Sequence, residues 1–212
     1  MLKHIKFSRY YFDLIGYINI VFTILIVPVA YVLPKTISWE NGFLENLQVI
    51  ILLLGELLSF RFYKKSCQNK IHHMWLWVSG VFLLLVGREL SWGRVFFQTK
   101  ITEAGPEFIP MSQVPHHMLI NVCIGFFIVM LVAGLINTVP WRIIFTKIPI
   151  PKIYFCLIVI GAVFSTIGDH GWIFLGYKGE NVEELGELLV YFLMDMLGLY
   201  YYHYLNEEAL PE

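Results

Sequence analysis

Carboxylates and imidazoles gather at a few places in a chain that is otherwise apolar. His116 and His117 stand just before one apolar run, Asp169 and His170 end another, and Glu180, Glu183, Glu184 and Glu187 open a third. Oxygen and imidazole donors suit zinc, manganese or iron, and a metal held by them would activate a water. The expected ligands are His117, Asp169, His170, Glu184 and Glu187. Adjacent side chains point different ways on a helix. His117 is therefore preferred to His116, because Asn121 follows it one turn later on the same face. Glu184 and Glu187 are three apart and share a face as well.

The stretch GRELSWGRVFF follows the apolar run VSGVFLLLV and still reads as helix, yet it carries Arg88, Glu89, Ser91 and Arg94. Here Glu89 is the expected general base, and Arg88 or Arg94 would hold an anionic head group, to which the guanidinium fork is suited. Glu45, Gln48, Ser91, Asn121 and Glu183 complete the expected pocket. Charges at membrane depth cost a few kcal/mol each unless they face one another or water. All these residues fall at one end of their runs, so a shared polar cavity is the least costly arrangement. Glu56 and Asp195 lie outside that layer; Glu56 is about 16 Å deeper than Glu45 at helical rise. Acids so placed often mark a proton or ion path.

Plainer readings stand beside these. The acids from Glu180 onward suit the positive end of a helix. The His116–His117 pair fits an interfacial loop, Asp169–His170 fits a hydrogen-bonded cap, and Arg88 and Glu89 fit ion pairs between helices. Glu56 and Asp195 would need each other or a partner such as Ser59.

The elements that position these residues follow from composition. Of 212 residues, 58% are hydrophobic and 15% are charged, against about a quarter charged in a soluble domain. A membrane crossing takes roughly 20 mostly apolar residues. Six such runs are expected, at about 12–33, 44–63, 74–97, 117–139, 153–175 and 183–204. The fold class is all-α, a polytopic six-helix transmembrane bundle in a single domain. The first run is too long for a removable signal peptide.

Basic residues in short loops favour the cytoplasmic side. Lys3, Lys6, Arg9, Arg61, Lys64, Lys65, Lys70, Arg142, Lys147 and Lys152 fall on one side, and only Lys35, Arg94, Lys100 and Lys178 in the opposite loops. Both termini are therefore expected in the cytoplasm, and the basic loops call for no nucleic acid. Pro34 closes the first run, Pro106, Pro110 and Pro115 break up the longest outer loop, and Pro140, Pro149 and Pro151 bracket an inner one. Cys67, Cys123 and Cys156 lie too far apart in sequence to suggest a disulfide framework or thiolate site and are expected to pack. Trp39, Trp92, Trp141, Trp172 and Tyr200 to Tyr202 read as interfacial belts.

The ELSWGR stretch (Glu89 to Arg94), the earlier ENLQ (Glu45 to Gln48) and the later EELGE (Glu183 to Glu187) resemble, in order, uncharacterised bacterial multispan membrane proteins with an E-[IL]-S-W-G-[QR] signature. That family usually has an acid before the signature glutamate, where this chain has Arg88. The resemblance implies a shared fold and site and a bacterial inner-membrane location. A more distant analogy is to the seven-span metal-dependent lipid hydrolases that include alkaline ceramidases. This chain has no H-x-x-x-H pair, and none of their residues carries over by position.

The leading expectation is a hydrolase or transferase acting at the outer face on a lipid or lipid-linked substrate with a divalent transition metal. The alternatives are an ion- or proton-coupled carrier or channel subunit, and a non-catalytic assembly partner. A homo-oligomer or a second membrane protein would be its company.

Overall fold

The computed structural model describes residues 9–66, 72–102, 105–173 and 176–207. Lys3, Lys6, Cys67 and Lys70, counted above, lie outside the described residues. The chain is mostly helical: α1 (Arg9–Val32), α2 (Phe43–Lys65), α3 (His72–Glu89), α4 (His117–Thr138), α5 (Trp141–Thr146), α6 (Lys152–Asp169) and α7 (Tyr177–Glu207). Helices α1, α2, α4 and α6 are long and apolar enough to cross a membrane. The apolar middle of α3 is bracketed by His72, His73, Arg88 and Glu89, and α7 carries Lys178, five acids before its last turns, and Asn181. Length and apolarity alone therefore do not single out these two.

The contacts divide the chain into two compact units, Met1–Leu33 with Arg142–Glu212, and Pro34–Trp141. In the first, α7 runs antiparallel to both α1 and α6. Asn181, fully buried near the start of α7, donates from Nδ2 to Ala30 O at 2.9 Å and Leu33 O at 3.2 Å. These are carbonyls at the end of α1 that no helical N–H reaches. At the other end, the Phe12 and Tyr200 rings meet edge to face at 5.1 Å. Helices α6 and α7 touch through glycines. A methyl added at Gly168 would lie 2.6 Å from Gly179 O, and one at Gly186 would lie 2.8 Å from Gly161 O. Gly161 and Gly168 are seven apart, as are Gly179 and Gly186, so each pair recurs every two turns on one face. Small residues at such an interface let backbones approach closely, which is how helices associate in lipid. Within α1, Asn19 and Thr23 return their hydrogen bonds to Ile15 O and Asn19 O and are satisfied without leaving the helix.

In the second unit α2 and α3 form an antiparallel pair: the rings of Phe62 and Trp75 meet at 5.1 Å, and Leu52 and Phe82 are buried. Glu45 in the first turn of α2 and Lys64 and Lys65 in its last suit the helix dipole. Helix α4 leans on α3 through Gly80 against Leu131 and Gly134 against the Trp77 ring. Elsewhere α4 presents an apolar surface that includes Leu119, Val122, Phe126 and Val129.

Two expectations need correction. The helix expected over 74–97 stops at Glu89; Ser91–Phe96 is a tight 3-10 segment broken by positive φ at Ser91, Trp92 and Gly93. The outer loop holds a short hairpin. β1 (Gln98–Thr102) and β2 (Gly105–Phe108) pair antiparallel, with Lys100 opposite Glu107 and their charged groups 3.2 Å apart. Gly105, at φ 132°, adopts a backbone conformation open to glycine and lies against the Trp39 ring. The last two apolar runs are shifted rather than lost: α6 ends at Asp169 and α7 begins at Tyr177.

Candidate functional site

One candidate lies on α7. Glu184, Glu187, Tyr191 and Asp195 recur at i, i+3, i+7 and i+11, which places them on a single helical face. The face spans about 16 Å, with about 6 Å of rise from Glu187 to Tyr191 and again from Tyr191 to Asp195. Glu184 is half-buried, and Glu187, Tyr191 and Asp195 are buried. Ser165 on α6 donates from Oγ to Glu187 Oε1 at 3.1 Å. Only 7% of Asp195 is exposed, and its Oδ1 meets no hydrogen-bond partner among the described residues. A buried acceptor left in that condition costs on the order of 1–3 kcal/mol. Such a group calls for a partner such as a water or an ion, or for a functional role.

The signature stretch builds a different arrangement in the other unit. Ser91 (φ 43°), Trp92 (φ 53°) and Gly93 (φ 92°) are left-handed in succession, and Gly93 N–H closes the turn on Leu90 O at 2.8 Å. Left-handed backbone costs roughly 1–2 kcal/mol at a non-glycine residue, so something must hold Ser91 and Trp92 there. The Trp92 ring folds back onto Gly87, where any Cβ would collide with it. Arg94, carried round by the turn, forms an ion pair with Glu40, and Ser91 Oγ donates to the same Glu40 oxygen at 3.3 Å. The Phe108 ring lies 5.9 Å from the Arg94 guanidinium. Arg88 and Glu89 are 3.4 Å apart, with Glu89 buried and the Arg88 side chain 54% exposed. Glu45 accepts from Asn41 N–H at the start of α2, Gln48 is fully buried, and Glu56 accepts from Ser79 Oγ at 3.1 Å rather than from Ser59.

The remaining expected residues are dispersed. His117 is the half-buried first residue of α4, after a left-handed His116, and Asn121 is exposed. Asp169 and His170 sit at the end of α6 with side chains 64% and 52% exposed and 3.4 Å apart. The His170 ring also approaches Thr166 O at 3.0 Å and packs beside Trp172. Glu183 is half-buried on α7 and lies against Gly168. Among the described residues, no group of three or more His, Cys, Asp or Glu side chains lies close enough to hold a metal. Cys123 and Cys156 are free and exposed on apolar helices, instead of packed as expected.

Sequence reasoning passed over Glu40, Ser165 and Tyr191. Glu40 had a signal, as an acid in a loop bounded by apolar runs that contain few bases. Tyr191 had one also, because it completes the i, i+4 spacing between Glu187 and Asp195. Ser165 had none, since its partner is on another helix. No family model matches the chain, nor does any curated protein or solved structure.

Proposed function

We propose that this chain is a proton-translocating membrane protein, a carrier or channel subunit, whose route follows the acidic face of α7. The observation that carries the reading is Asp195, a buried carboxylate with an unmatched oxygen, in line with Tyr191, Glu187 and Glu184. Ionisable groups at membrane depth are costly and commonly serve proton relays. A tyrosine hydroxyl both donates and accepts, so Tyr191 can pass a proton between the carboxylates one turn above and below it. Ser165 holds Glu187 toward α6 and orients it in the row.

In this reading six helices, α1 to α4, α6 and α7, cross the inner membrane of a bacterium, and both termini are cytoplasmic. The basic residues Arg61, Lys64 and Lys65 after α2, and Arg142, Lys147 and Lys152 around α5, support that orientation. Glu184 then enters from the outer side and Asp195 lies inward of it.

The test is proton flux into proteoliposomes under an imposed pH gradient, followed with an entrapped pH dye. Wild type should acidify the lumen faster than empty vesicles, and Asp195→Asn should remove the difference while the protein stays folded. An enzyme working at the outer face would instead lose only stability on that substitution.

Metal-dependent hydrolysis or transfer on a lipid or lipid-linked substrate is the second reading. It is favoured by the carboxylate and imidazole of Asp169 and His170 lying 3.4 Å apart. Of the expected ligands of zinc, manganese or iron it keeps Asp169, His170, Glu184 and Glu187, which belong to one unit; His117, Glu89, Arg88 and Arg94 belong to the other. Near-stoichiometric metal in the purified protein, lost in a folded Glu184→Ala/Glu187→Ala double variant, would establish it. Metal-free protein after reconstitution would end it.

A further inference from the structure

A second feature of the same unit lies at the opposite end of α7 from the glutamates. A cleft of about 430 Å³ is bounded by Phe12 and Asp13 on α1, the Pro149–Pro151 segment, Lys152 to Tyr154 at the start of α6, and Tyr200 on α7. Its walls are fastened. Tyr154 Oη donates to Phe12 O at 2.8 Å and Tyr200 Oη to Pro149 O at 2.7 Å, so both tyrosine hydroxyls tie one wall to another. The ring of Tyr200 also packs on Phe12.

Two opposite charges share this cleft. Asp13 and Lys152 both line it, both are exposed, and neither forms an ion pair or a hydrogen bond through its charged group among the described residues. Lys152 is the first residue of α6 and Asp13 lies one turn into α1. Both helices are apolar enough to cross a membrane, so the cleft opens at the level of the lipid head groups. Its volume is in the range of small-ligand sites, enough for a head group. A purely basic surface would attract any anionic lipid. A carboxylate and an ammonium held apart in one cleft instead match a zwitterion of the reverse polarity.

We propose that this cleft binds the head group of an ethanolamine phospholipid, with the lipid ammonium on Asp13 and its phosphate on Lys152. A primary ammonium has N–H groups to donate to a carboxylate, which the quaternary ammonium of choline lacks. That difference sets the selectivity. The acyl chains leave the cleft along the exposed apolar flank near Ile150. The site is independent of the proton route and stands or falls without it.

The test is native mass spectrometry of the delipidated full chain, titrated in detergent with phosphatidylethanolamine, phosphatidylcholine or phosphatidylglycerol of identical acyl chains. Phosphatidylethanolamine should be retained about fivefold more tightly than either competitor, the size of one favourable exposed ion pair. Asp13→Asn should bring it down to the level of phosphatidylcholine and leave phosphatidylglycerol unchanged, and Lys152→Gln should weaken all three. Both residues are exposed, and circular dichroism of each variant checks that the helices are intact. Equal retention of the three lipids, a preference for phosphatidylglycerol, or an Asp13→Asn variant with unchanged selectivity would overturn the proposal. So would displacement of the lipid by millimolar phosphoethanolamine, because the ligand would then come from solution rather than from the bilayer.

Discussion

Glu40 and Arg94 show how much one turn can depend on single side chains. The left-handed run at Ser91, Trp92 and Gly93 is unfavourable by itself and is held by the Trp92 ring on Gly87 and by the hydrogen-bonded ion pair to Glu40. Both charged groups are about a third exposed, so solvent screens the pair, and its loss is worth about 1 kcal/mol. The Arg94→Ala variant should therefore melt a few degrees lower in detergent. Gly87→Ala should melt lower still, because a methyl there meets the Trp92 ring at 2.5 Å. If the two variants melt like wild type, the turn is held by something else. Arg94 is engaged by Glu40 and Arg88 by Glu89, and Arg88, with its side chain 54% exposed, is the more exposed of the two.

Helices α6 and α7 depend on backbone contact, and glycine substitutions separate contact from propensity. Gly168→Ala places a methyl 2.6 Å from Gly179 O, backbone that cannot rotate aside, and should destabilise the protein by roughly 1–3 kcal/mol as overpacking does. Gly198→Ala, on the same helix pair, meets nothing within 4 Å and should stabilise by a few tenths to about 1 kcal/mol through helix propensity. Paired thermal melts of the two variants check the opposite signs. Much of this level was legible beforehand. The starts of α2 and α4 and the end of α1 fall within two residues of the expected bounds, because long apolar runs closed by Pro34 or opened after Gly42 and Pro115 leave little choice. The end of α3 was not legible: Leu90, Ser91 and Trp92 all suit a helix, and the chain reverses there through the packing of Trp92 on Gly87 and the ion pair of Arg94 with Glu40, a residue distant in sequence. The hairpin escaped notice because strands of four and five residues, one of them containing Pro106, carry too short an alternation. Helix α7 starts before its apolar run because Lys178, Gly179 and Glu180 form a polar first turn that hydropathy assigns to a loop.

At the scale of the molecule, the four helices that are long and apolar enough to cross a membrane fit a membrane protein, and the polar residues concentrate on α7 and around the ends of α2 and α3. The candidate site was legible in part. The acids of α7 stood out because charge is scarce in this chain, whereas the grouping of Asp195 with Tyr191 and Glu187 depends on which face of α7 is buried. The proposed orientation puts Lys178 outside and Lys147 inside. Single cysteines at these positions, in a chain whose native cysteines are replaced, should react with an impermeant maleimide on intact cells at 178 and only after lysis at 147. The reverse pattern would invert the proton route.

The central claim is that Asp195 carries protons along α7, and it is tested most directly by comparing proton flux through Asp195→Asn and Asp195→Glu proteoliposomes loaded with equal amounts of folded protein. An ionisable group at this position should suffice: asparagine should abolish the flux, and glutamate should restore a substantial part of it. Flux that survives in the asparagine variant would contradict the claim and leave Asp195 as a buried structural carboxylate.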